Sequence, residues 1–93
     1  MKIVSSGVGS EFHALYLTDA RTVFHCFRVE GGAWQKWLPL LCSPLADVTC
    51  AGVADTLHVF GITETGICIH AIRMADGSWT DFQQLPDQSM ITE

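Results

Sequence analysis

The chain has 93 residues, with ten acidic against five basic side chains, 48% hydrophobic residues and only 16% charged ones. This composition is too apolar for a disordered chain, and the net charge of −5 without a basic stripe argues against nucleic-acid binding. No apolar run approaches the roughly 18 residues of a membrane-spanning helix. A chain this short buries little surface alone, so its apolar content predicts packing against partners.

The four cysteines are Cys26, Cys42, Cys50 and Cys68. Metal binding favours a close C-x-x-C pair, which the sequence lacks. We therefore predict buried thiols, with Cys42 and Cys50 as the one pair for which a disulfide remains open. The residues after Met1 show no apolar segment typical of a secretory signal. These features favour a cytoplasmic location, or release without a conventional signal peptide.

The first half of the chain predicts four strands. Small residues at positions 5–7 mark the first strand, and apolar or aromatic runs at 12–17 and 23–27 mark the second and third. A turn at Gly31 and Gly32 precedes the fourth strand, which contains Trp34.

The second half predicts the same succession. Strands are expected at 47–53, 56–63, 67–74 and 78–85, because β-branched and aromatic residues are frequent there and helical spacing is absent. Turn residues separate them, including an Asp-Gly turn at Asp76 and Gly77.

The two halves are copies of one unit. A shift of 45 residues aligns 48 pairs, of which nine are identical, where chance gives about three. The identical pairs are Gly7/Gly52, Val8/Val53, His13/His58, Thr18/Thr63, His25/His70, Arg28/Arg73, Gly32/Gly77, Trp34/Trp79 and Leu40/Leu85. A period of this length with strand-forming residues is typical of propeller blades.

Each repeat therefore predicts one four-stranded antiparallel meander, with domains at residues 1–45 and 46–93. The second and third strands are apolar on both faces, as expected for a blade that lies between two others in a β-propeller. A single eight-stranded β-sandwich is the alternative, although its strands alternate more cleanly between polar and apolar residues. The predicted fold class is all-β, with two blades per chain.

Two blades do not close a ring, because propellers contain about four to eight. We expect head-to-tail homo-oligomerisation, with a trimer of six blades favoured and a tetramer of eight as the next choice. The tail at 88–93 aligns with the connector at 43–48 and is expected to point towards the first strand of the next copy.

The second repeat contains the motif Leu57-x-Val59-Phe60, Gly66-x-x-x-His70, Asp76-Gly77-x-Trp79-x-x-Phe82 and Leu85, in that order. This motif resembles the tryptophan-containing repeat of bacterial propeller lectins. The chain also resembles small two-blade fucose-binding lectins that form six-bladed trimers. These resemblances imply a non-catalytic carbohydrate-binding protein with shallow pockets between blades. Fucose specificity does not carry over, because histidines stand where those lectins have Arg and Glu.

The candidate ligand-binding residues are Arg28, Trp34, Arg73, Trp79, His13 and His58. Aromatic rings stack on the apolar faces of sugars and arginines bind hydroxyls, so both types suit a sugar pocket. The same tryptophans also suit packing between blades, and the arginines also suit a carboxylate such as Asp76 or Glu30. The histidines, with His25 and His70, suit buried polar positions, sugar contacts or metal ligation.

Enzymatic chemistry is not expected. The sequence contains no G-x-S-x-G nucleophile elbow and no H-E-x-x-H motif. We expect no catalytic residue, no cofactor and no metal site, and binding independent of calcium because the turns lack clustered carboxylates. The expected partners are other copies of the chain and a glycan. A structural or protein-binding propeller scaffold without a sugar site is the alternative function.

Overall fold

The computed structural model describes residues 1–86, which form eight strands and no helix. No helix within this part of the chain is long and apolar enough to cross a membrane. The strands are β1 (Lys2–Val8), β2 (Glu11–Leu17), β3 (Val23–Val29), β4 (Leu38–Pro39), β5 (Leu45–Val53), β6 (Thr56–Thr63), β7 (Cys68–Arg73) and β8 (Gln83–Gln84). The predicted all-β class is confirmed.

The strands form two antiparallel four-stranded sheets, in the order β1-β2-β3-β4 and β5-β6-β7-β8. Each sheet is a meander in which every strand pairs with the next along the chain. Equivalent turns keep the same left-handed backbone in both sheets, even where glycine is replaced. Gly9 (φ 56°) matches Ala54 (φ 53°), and Arg21 (φ 69°) matches Gly66 (φ 88°).

The outer strands are shorter than predicted. Only Gln83 and Gln84 belong to β8, although the sequence pattern suggested a strand over 78–85. The ladder breaks near Thr80, where the side-chain hydroxyl instead of a backbone carbonyl accepts the hydrogen bond from Ile72 N–H at 2.9 Å. Trp79 keeps a single bridge to Arg73. The outer segment therefore follows β7 without forming a continuous strand.

The hydrophobic core lies between the two sheets. Side chains that face each other across neighbouring strands lie on the same face of a sheet. The core-facing side of the first sheet contains Val8, Leu15, Leu17 and Val23. The core-facing side of the second contains Val48, Leu57, Val59 and Ile69. One face of each sheet is thus buried against the other sheet.

The first strands of the two sheets lie side by side, and they meet most closely at two glycines. A Cβ atom added to Gly52 would overlap the carbonyl oxygen of Gly7, so this contact requires glycine. Gly52 N–H also donates to Ser6 Oγ at 2.9 Å. Further along the strands, Lys2 Nζ donates to Asp47 Oδ1 at 2.7 Å.

Cys42 and Cys50 form no disulfide, and both pack as thiols against the core. Burial raises the pKa of Cys26, Cys42 and Cys50, so these thiols stay protonated at neutral pH. The expectation for the tail at 88–93 lies outside the described residues.

Candidate functional site between the two sheets

A pair of buried histidines connects β2 and β3 in the first sheet. His13 Nδ1 lies 2.8 Å from His25 Nε2, and His13 Nε2 lies 2.9 Å from Glu11 Oε1. The ionised carboxylate only accepts hydrogen bonds, so His13 carries its proton on Nε2 and donates it to Glu11. In neutral His13 the other nitrogen then accepts from His25 Nε2–H. We call this series of hydrogen bonds, from His25 through His13 to Glu11, the relay. The tautomer assignment leaves His25 Nδ1 as a hydrogen-bond acceptor at its start.

The second sheet repeats the relay with one substitution. His58 Nδ1 lies 2.8 Å from His70 Nε2, and His58 Nε2 lies 3.1 Å from Thr56 Oγ1. The Thr56 hydroxyl donates its proton to the Val53 carbonyl at 2.7 Å, so its oxygen accepts from His58. Hydrogen bonds are therefore donated in the same direction in both sheets. The direction is from β3 to the start of β2 in the first sheet, and from β7 to the start of β6 in the second.

The two relays differ in their exposure. His13 and His25 are buried, whereas His58 and His70 are only partly buried. Burial, with smaller contributions from His13 and Arg73, lowers the pKa of His25 to about 3. Burial also lowers the pKa of His13, although its hydrogen bond to Glu11 acts in the opposite direction. The relay of the first sheet is therefore neutral at physiological pH.

Arg73 and Trp79 of the second sheet pack onto the relay of the first. The Arg73 guanidinium lies 4.6 Å from the ring centroid of Phe27, and its Nη1 is 3.7 Å from Glu11 Oε1. Trp79 makes an edge-to-face contact with His25, with centroids 5.2 Å apart. The carboxylate that pairs with Arg73 is thus Glu11, from the other repeat, whereas the sequence offered Asp76 and Glu30 as examples of such a carboxylate.

Arg28 lies on the opposite, outward face of the first sheet. Its Nε atom is buried without a hydrogen-bond partner among the described residues. Trp34 follows β3 outside the strands and is 51% exposed. The structure therefore brings together three of the six predicted site residues, His13, Arg73 and Trp79. It places Arg28 on the outer face of the first sheet and His58 on the outer face of the second.

A cleft of about 360 Å³ opens between the sheets next to the buried relay. Its walls combine an indole, an imidazole and a carboxylate with an apolar floor. The lining residues are His25, Leu38, Pro39, Leu40, Leu41, Trp79, Asp81 and Phe82. Asp81 is exposed, whereas Trp79 and Phe82 are partly buried against the core.

Sequence reasoning missed Glu11 and Asp81. Glu11 stands two residues before His13, a spacing that places both side chains on one face of a strand, and this was a usable signal. Asp81 aligns with Lys36, so the comparison of repeats gave no indication of its role. Across residues 1–86 no group of three or more His, Cys, Asp or Glu side chains is placed to hold a metal ion.

Comparison with protein-family models, curated proteins and solved structures gave no match to this chain.

Proposed function

We propose that the protein is a carbohydrate-binding, lectin-like β-propeller whose non-catalytic sugar pockets lie between adjacent blades. The observation that supports this most strongly is the cleft between the sheets, where an indole, an imidazole and a carboxylate surround one apolar floor. Sugars present apolar C–H faces that stack on aromatic rings and hydroxyl groups that donate hydrogen bonds.

Each group has a distinct role in this proposal. Trp79 provides the stacking surface. Asp81 accepts hydrogen bonds from sugar hydroxyls. His25 Nδ1 accepts another, because the proton of this ring lies on Nε2 and is already donated to His13. The low pKa of His25 keeps that acceptor unprotonated at neutral pH. Such a site holds a neutral sugar through stacking and hydrogen bonding, without calcium.

In this proposal each four-stranded sheet is one blade, and several copies of the chain complete the ring, with a trimer favoured over a tetramer. The cleft between copies would differ from the cleft within a chain. Gln83 and Gln84 align with Leu38 and Pro39, and Lys36 aligns with Asp81. A ring would therefore alternate two kinds of site, and several weak sites raise the avidity for a glycan surface by orders of magnitude.

A scaffold function without a sugar site is the second candidate, because Arg73 and Trp79 already contact Glu11, Phe27 and His25. In that case these side chains serve only to hold the two sheets together.

A glycan array followed by calorimetry on the hits tests the proposal. We expect reproducible binding that a chelator leaves unchanged. Asp81→Ala should weaken binding at least tenfold without unfolding the chain, because Asp81 is exposed, while the matched control Asp55→Ala at another exposed position should not. Silence across a broad array would favour the scaffold, and loss of binding with chelator would refute the calcium-free mechanism.

A further inference from the structure

We propose that the outward face of the second sheet binds the outward face of the first sheet in another copy, through a junction equivalent to the one inside the chain. This inference rests on the blade arrangement of the proposed function but not on sugar binding. The receiving surface centres on His58, His70 and Ile72. The incoming surface centres on Arg28 and Trp34.

Equivalent residues differ sharply in exposure, and this difference identifies the uncovered surfaces. Ile3 is 66% exposed, whereas its repeat equivalent Val48 is 2% exposed. Phe12 is 52% exposed, whereas its equivalent Leu57 is 1% exposed. The covered members face the first sheet, and the exposed members occupy the same positions on the face that no strand within residues 1–86 covers. The first sheet thus has an apolar surface of the type already buried within the chain.

The polar groups of the two surfaces also match. Inside the chain, Arg73 and Trp79 cover the relay that contains His25. Within residues 1–86, no histidine relay faces their equivalents Arg28 and Trp34, and no indole or guanidinium is found in contact with the equivalent relay of His58 and His70. The same shift that relates the repeats would set Trp34 of one copy against His70 of the next. Arg28, whose Nε has no partner within residues 1–86, would then lie near Thr56.

The first strands add charge complementarity. Lys2 and Asp47 occupy equivalent repeat positions and are paired inside the chain at 2.7 Å. A head-to-tail junction therefore places Asp47 of one copy beside Lys2 of the next, so that opposite charges alternate around the ring. A like-to-like junction of these positions would instead bring equal charges together. The exposed pair adds little affinity but favours the head-to-tail orientation.

Gly7 gives the sharpest test of this surface. A Cβ atom at Gly7 meets only the Glu11 carbonyl oxygen at 3.9 Å, an ordinary contact, so Gly7→Ala is tolerated within one chain. In the proposed junction the same Cβ would collide with the backbone of Gly52 in the next copy, as a Cβ at Gly52 would collide with Gly7 inside the chain. Gly52→Ala is the matched variant and should destabilise the chain itself.

The first experiment is sedimentation velocity on wild type and Gly7→Ala, with circular dichroism to verify folding. We expect an assembled wild type, and a folded Gly7→Ala chain whose self-association is at least 100-fold weaker. A monomeric wild type, or a Gly7→Ala chain that associates as well as wild type, would overturn the proposal.

A second variant is designed to strengthen the junction, so this test does not require that Gly7→Ala folds. Thr56→Glu with Ile72→Phe copies the Glu11 and Phe27 environment of Arg73 onto the receiving surface. We expect roughly tenfold tighter association, because Arg28 gains a ring and a carboxylate. Unchanged or weaker association would contradict the proposed position of Arg28. Calorimetry with a single soluble sugar on Gly7→Ala is a separate measurement, since the cleft within the chain remains and avidity does not contribute. Loss of sugar binding there would refute the function and leave this interface intact.

Discussion

At the scale of residues, two stacked histidine pairs give the repeat its polar centre. A buried polar group is stable only if its hydrogen bonds are satisfied, and each pair achieves this by ending on an acceptor at the start of its second strand. Glu11 fills that position in the first sheet and Thr56 in the second. Only the first position also meets an arginine from the other repeat. The buried relay therefore joins the two sheets as well as the strands within one sheet.

Acid should destabilise this relay. The pKa of His25 is about 3 in the folded chain and near its ordinary value of 6.5 in the unfolded chain, so the unfolded state binds more protons between these values. The stability contributed by neutral His25 is thus complete above about pH 6.5 and is lost as the pH falls towards 3. A histidine that is protonated only in the unfolded state lowers the free energy of unfolding by up to about 1.4 kcal/mol for each unit of falling pH. The side chains of Glu11, His13 and Arg73 face His25, so the measured free energy of unfolding also includes their contributions.

Urea denaturation at pH 7.5, 6.0 and 4.5, at one protein concentration, measures the effect. We expect the free energy of unfolding to fall at each step. A free energy that stays constant down to pH 4.5 would mean that His25 is protonated in the folded state.

The two repeat tryptophans should respond differently to truncation. Trp79 packs against the core and His25, so Trp79→Ala should lower the free energy of unfolding of a single chain by about 3 kcal/mol. Trp34 is half exposed, so Trp34→Ala should have a much smaller effect on a dilute, unassociated chain. Denaturant unfolding at low concentration compares the two. Equal losses in the free energy of unfolding would contradict the different burial of the two tryptophans.

At the scale of elements, the hairpin between β5 and β6 contains a strained residue. Ala54 adopts a left-handed conformation (φ 53°) where the equivalent position of the first sheet has Gly9. Residues other than glycine are destabilised by about 1 kcal/mol or more in this conformation. Ala54→Gly should therefore raise the free energy of unfolding by up to about 1 kcal/mol, and Gly9→Ala should lower it similarly. Thermal unfolding of both variants tests this. A destabilising Ala54→Gly would contradict the assigned turn.

The sequence was sufficient to predict the number, order and antiparallel pairing of the strands, because a gapless repeat and tight turns constrain them locally. It predicted outer strands that are too long. The Thr80 hydroxyl replaces a backbone acceptor, and alternation of residue types does not indicate such a bond. It selected His13, Arg73 and Trp79 as candidates through the repeat, and the structure brings these three side chains together. It missed Asp81 and the pairing of Arg73 with Glu11, because contacts between sheets depend on how the two units pack.

At the scale of the whole molecule, residues 1–86 contain one junction between sheets, and we propose that their two outer faces form a second junction between copies. The inner junction buries Val48 and Leu57, whereas the equivalent Ile3 and Phe12 remain exposed. Such exposed apolar faces are typical of surfaces that bind a partner. In a heterologous contact each copy uses one of these faces on each neighbour, and a closed ring leaves neither face uncovered.

The mass of the wild-type particle in solution tests this account most directly. Light scattering coupled to size-exclusion chromatography at micromolar concentration should give three times the chain mass of 10.2 kDa, or four times that mass as the next choice. A particle that remains at the mass of one chain across this concentration range would contradict the account, because both outer faces would then be exposed to water.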